Sequence, residues 1–279
     1  MEHFAYGAIT PALALTLSFL GCLLGVFIAA RSRASSGGSR ARWLTLSAVA
    51  IGGAGTWVPH FMALLGTDVP GSVVRYDVPI TALGFGIAVV VYCLGLYIVG
   101  FGRPTLWKVL PAGVVTGLGL AAVYSTAPLA MRVAGTVGYD PATALAALVA
   151  AVVGATATLW CAAAVRGNRA LVVAAAIMAV AACSTHYAVL FAVRVQPVPP
   201  AAEVRGAPPL ELLTPVCVLA CVLLSVLAYT TVGFSVRQNT ASEEELLRRA
   251  RDMYSVATLH RAVAARHEER DRGGAAVPQ

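Results

Sequence analysis

Two histidines set inside apolar sequence carry the chemistry of this chain: His60 in TWVPHF and His186 in CSTHYA. An ionisable side chain among hydrocarbon is costly, and it usually turns toward the interior of a helix bundle, where it marks a functional site. A neutral imidazole there has one ring nitrogen free to accept a hydrogen bond or to bind a metal. Packing by hydrogen bond and metal binding are both open to such a pair. Cys183 stands three residues before His186 on the same helical face, a spacing that suits a thiolate and an imidazole directed at one ion. Two imidazoles make an incomplete site, and Cys183, Met62, Tyr124 or water are the candidates for a third ligand.

Such residues need a scaffold, and the composition names its kind. Hydrophobic residues make up 58% of the 279 and charged residues 12%, against roughly 45–50% and about 25% in soluble domains. The mean hydropathy is +0.78. Seven apolar stretches are long enough to cross a bilayer as helices, at about 6–30, 43–65, 79–100, 106–127, 142–165, 169–193 and 211–236. They do not alternate as membrane strands would. The fold class expected is all-α, a polytopic membrane protein of seven transmembrane helices. Met1-Glu2-His3 lacks the positive start of a signal peptide, so the first stretch reads as a retained span.

The spans repeat. Tyr76-Asp77 opens the third and Tyr139-Asp140 the fifth, 63 residues apart. His60, Tyr124 and His186 close the second, fourth and sixth at intervals of 64 and 62. The unit is a helix pair, so the membrane part is three repeated pairs plus one helix, and His60, Tyr124 and His186 share a depth near one surface. Pro59 and the nearby Gly52, Gly53 and Gly55 predict a kinked, closely packed second span.

Basic residues set the orientation. Sixteen Lys and Arg lie in the loops after the first, third and fifth spans and beyond the seventh, against four in the opposite loops, which puts the N-terminus outside. The histidines then lie toward the outer face. The basic residues are dispersed over short loops, which argues against a nucleic-acid partner. All six cysteines fall within spans, where small polarizable side chains pack well. The expected division is a membrane domain over 1–236 and a short cytoplasmic tail over 237–279. In the tail, Ser242-Glu243-Glu244-Glu245 starts a helix over 243–268 whose stripe of Leu246, Ala250, Met253, Ala257 and Ala264 could pair with a cytoplasmic signalling partner, pair with itself or lean on the bilayer.

WVPHFMAL (Trp57 to Leu64) and THYAVL (Thr185 to Leu190) resemble degenerate copies of the signature of the bacterial MHYT domain, whose repeats read Met-His-Tyr/Phe-Thr/x-Gly-Met. AAVYSTAPLAMR (Ala121 to Arg132), followed by Tyr139-Asp140-Pro141, resembles the second copy. The resemblance covers about residues 4–236. It implies a seven-helix sensor of the bacterial cytoplasmic membrane that holds copper through Met and His side chains and responds to a diatomic gas or redox signal. The motif methionines are replaced by Pro59, Val123 and Thr185 and by Leu64, Pro128 and Leu190, and the middle histidine by Tyr124. Copper(I) favours sulfur, so Met62, Met131 or Cys183 would have to make up the set.

A sensor without its own output domain, a structural membrane partner with a decayed motif, and a transporter of a metal or small molecule are the readings to separate. Transporters usually place carboxylates or broken helices at midplane, and no Asp or Glu lies inside a span. No nucleophile, base and carboxylate assemble into an enzyme site. The only lysine is Lys108, at a span end, so a retinal Schiff base has no amine within the bundle. The orientation is checked by a reporter fused after Gln279, which is expected to be active on the cytoplasmic side; activity confined to the outer side would refute it.

Overall fold

The structure, a computed structural model, describes residues 9–67, 73–197 and 205–233, together with Leu247, Arg248 and Arg251. It contains seven helices long and apolar enough to cross a membrane: α1 Ile9–Arg33, α2 Gly37–Leu65, α3 Val78–Gly100, α4 Leu106–Ala130, α5 Pro141–Ala164, α6 Asn168–Ala192 and α7 Pro209–Gly233. The chain divides into two compact units, Met1–Ala228 and Tyr229–Gln279. The domain boundary expected after residue 236, and the tail helix expected over 243–268 apart from Leu247, Arg248 and Arg251, lie outside the described residues.

The helices are not equivalent. In α2 94% of the most apolar stretch is buried, against 22–44% in the others. The second span is therefore the most enclosed of the seven. Exposed apolar side chains recur along the outer helices, as at Leu83, Val90, Leu94 and Ile98 on α3 and Leu145, Val149 and Val153 on α5, and supply the faces that meet lipid. Lipid offers no hydrophobic drive for helices to associate, so close packing and hydrogen bonds must hold them. Small residues provide the packing: a Cβ added at Gly21 of α1 would lie 2.4 Å from the Gly55 backbone nitrogen of α2, and one at Gly52 would lie 2.8 Å from the Ala88 carbonyl of α3.

The kink expected in α2 takes a particular form. The helix begins at Gly37, six residues before the apolar run, because Arg40 and Arg42 occupy turns that lie outside the apolar layer and do not disfavour helix. It then widens into a π-helical stretch, Val49–Trp57, before resuming as α-helix over Val58–Leu65. Val58 donates to the Gly53 carbonyl, five residues back. Pro59 has no N–H to offer the preceding turn. The Gly55 carbonyl in that turn accepts the Ser18 hydroxyl of α1 at 2.6 Å, so the opened ladder is satisfied from a neighbouring helix.

The loops at the histidine end are laced together by short strands, which the apolar pattern did not announce. Strand β1 (Arg75–Tyr76) pairs antiparallel with β2 (Met131–Arg132), and β3 (Gly135–Tyr139) with β4 (Val193–Pro197). Tyr76 also bridges Ala207 through two backbone hydrogen bonds of 2.9 Å. The middle loop supplies both β2 and β3 and so ties the other two. The Tyr-Asp repeat acquires a structural meaning here: Asp77 caps α3 by accepting from the Ile80 N–H at 3.2 Å, and Asp140 caps α5 by accepting from the Thr143 N–H at 2.9 Å. Arg132 closes an ion pair with Asp77 at 2.6 Å.

Two outcomes follow. Gly55→Leu and Gly21→Leu force side-chain atoms into backbone and are each expected to destabilise by about 1–3 kcal/mol or to prevent folding, read as lost thermal stability and yield in detergent, whereas Gly38→Leu, with open space around it, is tolerated. The Asp77 carboxyl is held below the ordinary carboxylate range by the Arg132 hydrogen bond and then by the Ile80 N–H, and that of Asp140 by the Thr143 N–H and hydroxyl. A depressed folded-state value means that the stabilisation is complete above the unfolded value of about 4 and is lost as pH falls through the folded one. The melting temperature is therefore expected to fall on acidification below about pH 4, and less steeply in Asp77→Asn/Asp140→Asn; an identical pH profile in that variant would refute the caps' role.

Candidate functional site

The two histidines meet in the bundle interior. His60, on the last α-helical segment of α2, is 5% exposed, and His186, near the end of α6, is 3% exposed. Their Nδ1 atoms lie 2.5 Å apart and their rings are nearly perpendicular, with centroids at 4.6 Å. Two Nδ1 atoms in hydrogen-bonding contact require that one carry a proton and the other a lone pair. Neutral imidazoles meet that need without leaving a charge in the apolar layer.

The repeat accounts for the meeting. Three helix pairs run in one sense, so the ends of α2, α4 and α6 come to a common level, and each sends one aromatic or imidazole side chain toward the others. Tyr124 of α4, 2% exposed, packs the edge of its ring against His60 at a centroid separation of 4.8 Å. Tyr187 packs beside His186 at 5.0 Å. The three side chains singled out by the interval of 62 to 64 residues thus form one cluster.

A cavity of about 10 Å³ adjoins the pair, lined by Thr56, Pro59, His60, Cys183, His186 and Tyr187. That is room for one water-sized occupant. Cys183 reaches the cavity wall, but it also has the Ser18 hydroxyl of α1 as a hydrogen-bonding neighbour, a hydroxyl that it shares with Cys22. Among the described residues, no three His, Cys, Asp or Glu side chains gather closely enough to form a metal-binding group. Met62 stands elsewhere: two residues beyond His60 it points to another side of α2 and lines an apolar groove with Thr10, Leu65 and Leu213. Met131 is buried in the apolar cluster around Trp57 and Phe61.

Sequence reasoning missed the polar residues behind the pair. Thr56, one helical turn before His60, faces the cavity and donates to the Tyr92 hydroxyl of α3 at 3.3 Å. The i, i+4 spacing of Thr56 and His60 was a usable signal. Ser18 carried none, because its role depends on Pro59 freeing a carbonyl of another helix.

Residues 53–113 and 117–176 match the family model for the bacterial signalling protein N-terminal repeat, MHYT. The chain carries the MHYT repeat. The two matched stretches start 64 residues apart, the interval read from the histidine-end residues; His60 lies in the first, Tyr124 in the second, and His186 beyond both. The chain is 38% identical over 109 residues to the cyclic di-GMP phosphodiesterase NbdA of Pseudomonas aeruginosa, covering 39% of this chain and 14% of that protein. It is 29% identical over 180 residues to an uncharacterized signaling protein of Caulobacter vibrioides, covering 63% and 22%, and 27% identical over 188 residues to the bifunctional diguanylate cyclase/cyclic di-GMP phosphodiesterase MucR of Pseudomonas aeruginosa, covering 66% and 27%. The chain thus spans about a quarter or less of the length of these relatives. No solved structure matches the chain. Two stretches of this seven-span chain thus match a bacterial signalling repeat, and part of the chain is similar to cyclic di-GMP signalling proteins.

The Nδ1 contact makes a testable statement about this site. Removing one imidazole leaves its partner's Nδ1 without that contact, whereas removing both does not. His60→Leu and His186→Leu are therefore expected to be non-additive in thermal unfolding, the double variant being more stable than the sum of the singles by about 1 kcal/mol. Strict additivity would mean that the two rings do not interact.

Proposed function

We propose that the MHYT bundle is a sensor whose signal enters at the His60–His186 pair and that a copper ion exchanges with the proton held between the two rings. The carrying observation is the facing pair of Nδ1 atoms from separate helix pairs in the buried interior. The donor chemistry fits copper: imidazole nitrogen suits it, and a thiol stands at the wall of the same cavity. At 2.5 Å the nitrogens are in direct contact, and two ligands on one ion at ~2 Å bonds span up to ~4 Å, so the rings must swing apart to admit an ion. His60 and His186 would hold the ion, Tyr124 would fix the His60 ring from the side, and Cys183 would supply sulfur by turning from Ser18. Bound copper would offer a redox-active centre to which a diatomic gas can coordinate.

The loop charges support an orientation with the histidine end outside, which sets the pair within reach of small molecules from that side. A change in ring separation would move α2 against α6, and with them the ends of those helices that lead to the opposite face. The output then passes to a cytoplasmic signalling partner, or to a second copy through the 243–268 stretch. Copper analysis of protein purified under metal-controlled conditions tests the reading. About one ion per chain is expected in the wild type, falling below a tenth of that in His60→Ala and in His186→Ala and unchanged in His3→Ala and His260→Ala. Metal-free wild type after copper loading would leave the pair as a packing hydrogen bond.

A further inference from the structure

The opposite end of the bundle carries a second site, unrelated to the copper reading. A cavity of about 170 Å³ opens between the helix ends there, lined by Ser32, Arg33, Arg40, Gly102, Arg103 and Arg166 among others. It could hold many times what the cavity beside the histidines could. Arg40, Arg103 and Arg166 stand 63 residues apart, the period of the helix-pair repeat. Arg40 in the first turn of α2, and Arg103 and Arg166 in the linkers after α3 and α5, all line the same cavity. A topology signal needs positive charge somewhere in each loop; it does not need the same register in each, nor convergence on one space.

Among the described residues, no carboxylate stands at this end to offset the charge. The Asp and Glu among the described residues are Asp77, Asp140 and Glu211, which begin α3, α5 and α7 at the far end. Arg33 donates to the Ala162 and Val165 carbonyls at 2.5 and 2.7 Å, and Arg40 to the Ser32 and Ser35 carbonyls at 3.1 and 2.9 Å. These bonds fix both guanidinium groups in place without cancelling their charge. Arg33 and Arg166 repel one another electrostatically. Arg103 and Arg166 are exposed, at the rim.

We propose that this cavity binds a phosphate group. Guanidinium groups donate in a planar fork that matches phosphate oxygens bidentately, and several forks around one cavity suit an anion with three or more acceptor oxygens better than a lone carboxylate. The phosphate belongs either to the headgroup of an anionic lipid, since the cavity lies at the end of the membrane-spanning helices, or to a free phosphate compound. One set of four proteins separates the sources: the delipidated full chain, Arg103→Gln/Arg166→Gln, and as charge-matched controls Arg42→Gln/Arg169→Gln, which lie outside the cavity lining, and Arg248→Gln/Arg251→Gln in the second unit. Phosphatidylglycerol binding is read by native mass spectrometry against phosphatidylcholine, and inorganic pyrophosphate binding by calorimetry. Preference for phosphatidylglycerol, weakened about tenfold or more in Arg103→Gln/Arg166→Gln and less than about twofold in the controls, supports the site with a lipid source; the same pattern with pyrophosphate supports it with a free one. The proposal is overturned if neither probe binds, if the cavity variant binds as the wild type does, or if the controls lose as much, which would reduce the cluster to diffuse positive charge.

Discussion

The approach of α1 to α2 at Gly21 and Gly55 is the contact on which the arrangement depends. There the backbones touch with no side chain between them, and the Ser18 hydroxyl reaches the Gly55 carbonyl across the gap. A larger residue at either position would push α2 outward into lipid, where its opened π-helical ladder would have no partner. With the helices this close, α2 can be enclosed by its neighbours, and its polar residues Thr56 and His60 find their partners on α3 and α6.

Much of this was legible in the residues. Seven spans followed from apolar length, the helix pair from the 62-to-64-residue interval, the starts of the third and fifth spans from the repeated Tyr-Asp, and the convergence of His60, Tyr124 and His186 from their common depth. Repeats report geometry well because equivalent positions on equivalent units must come to equivalent levels. Which helix is most enclosed was not legible. The second span is the least apolar of the seven, and a hydropathy pattern cannot say whether a moderately apolar helix faces lipid or protein. The direction of Met62 was legible from spacing alone, since residues two apart on a helix do not share a face and both His60 and Met62 lie in the α-helical stretch Val58–Leu65. The strand ladders left no mark because backbone pairing over two to five residues needs no particular side chains.

The same repeat builds both ends of the molecule, and it does so with unequal fidelity. At the histidine end the three equivalent positions have diverged to His, Tyr and His, and the enclosure of α2 makes one of them different in kind from the others. At the other end the equivalent positions are all arginine. An asymmetric cluster suits a small occupant held in one geometry, and a uniform one suits an anion that presents similar oxygens on several sides.

The enclosure of α2 also bears on what the membrane itself can communicate. Bilayers of different thickness make their helices tilt, and that adjustment acts on surfaces that touch acyl chains. Six helices of this bundle have such surfaces, whereas the apolar stretch of α2 is packed against protein. Hydrophobic mismatch therefore reaches His60 only as transmitted through its neighbours, while His186, on a helix with a lipid-facing side, receives it directly. The pair thus joins an enclosed helix to one with a lipid-facing side.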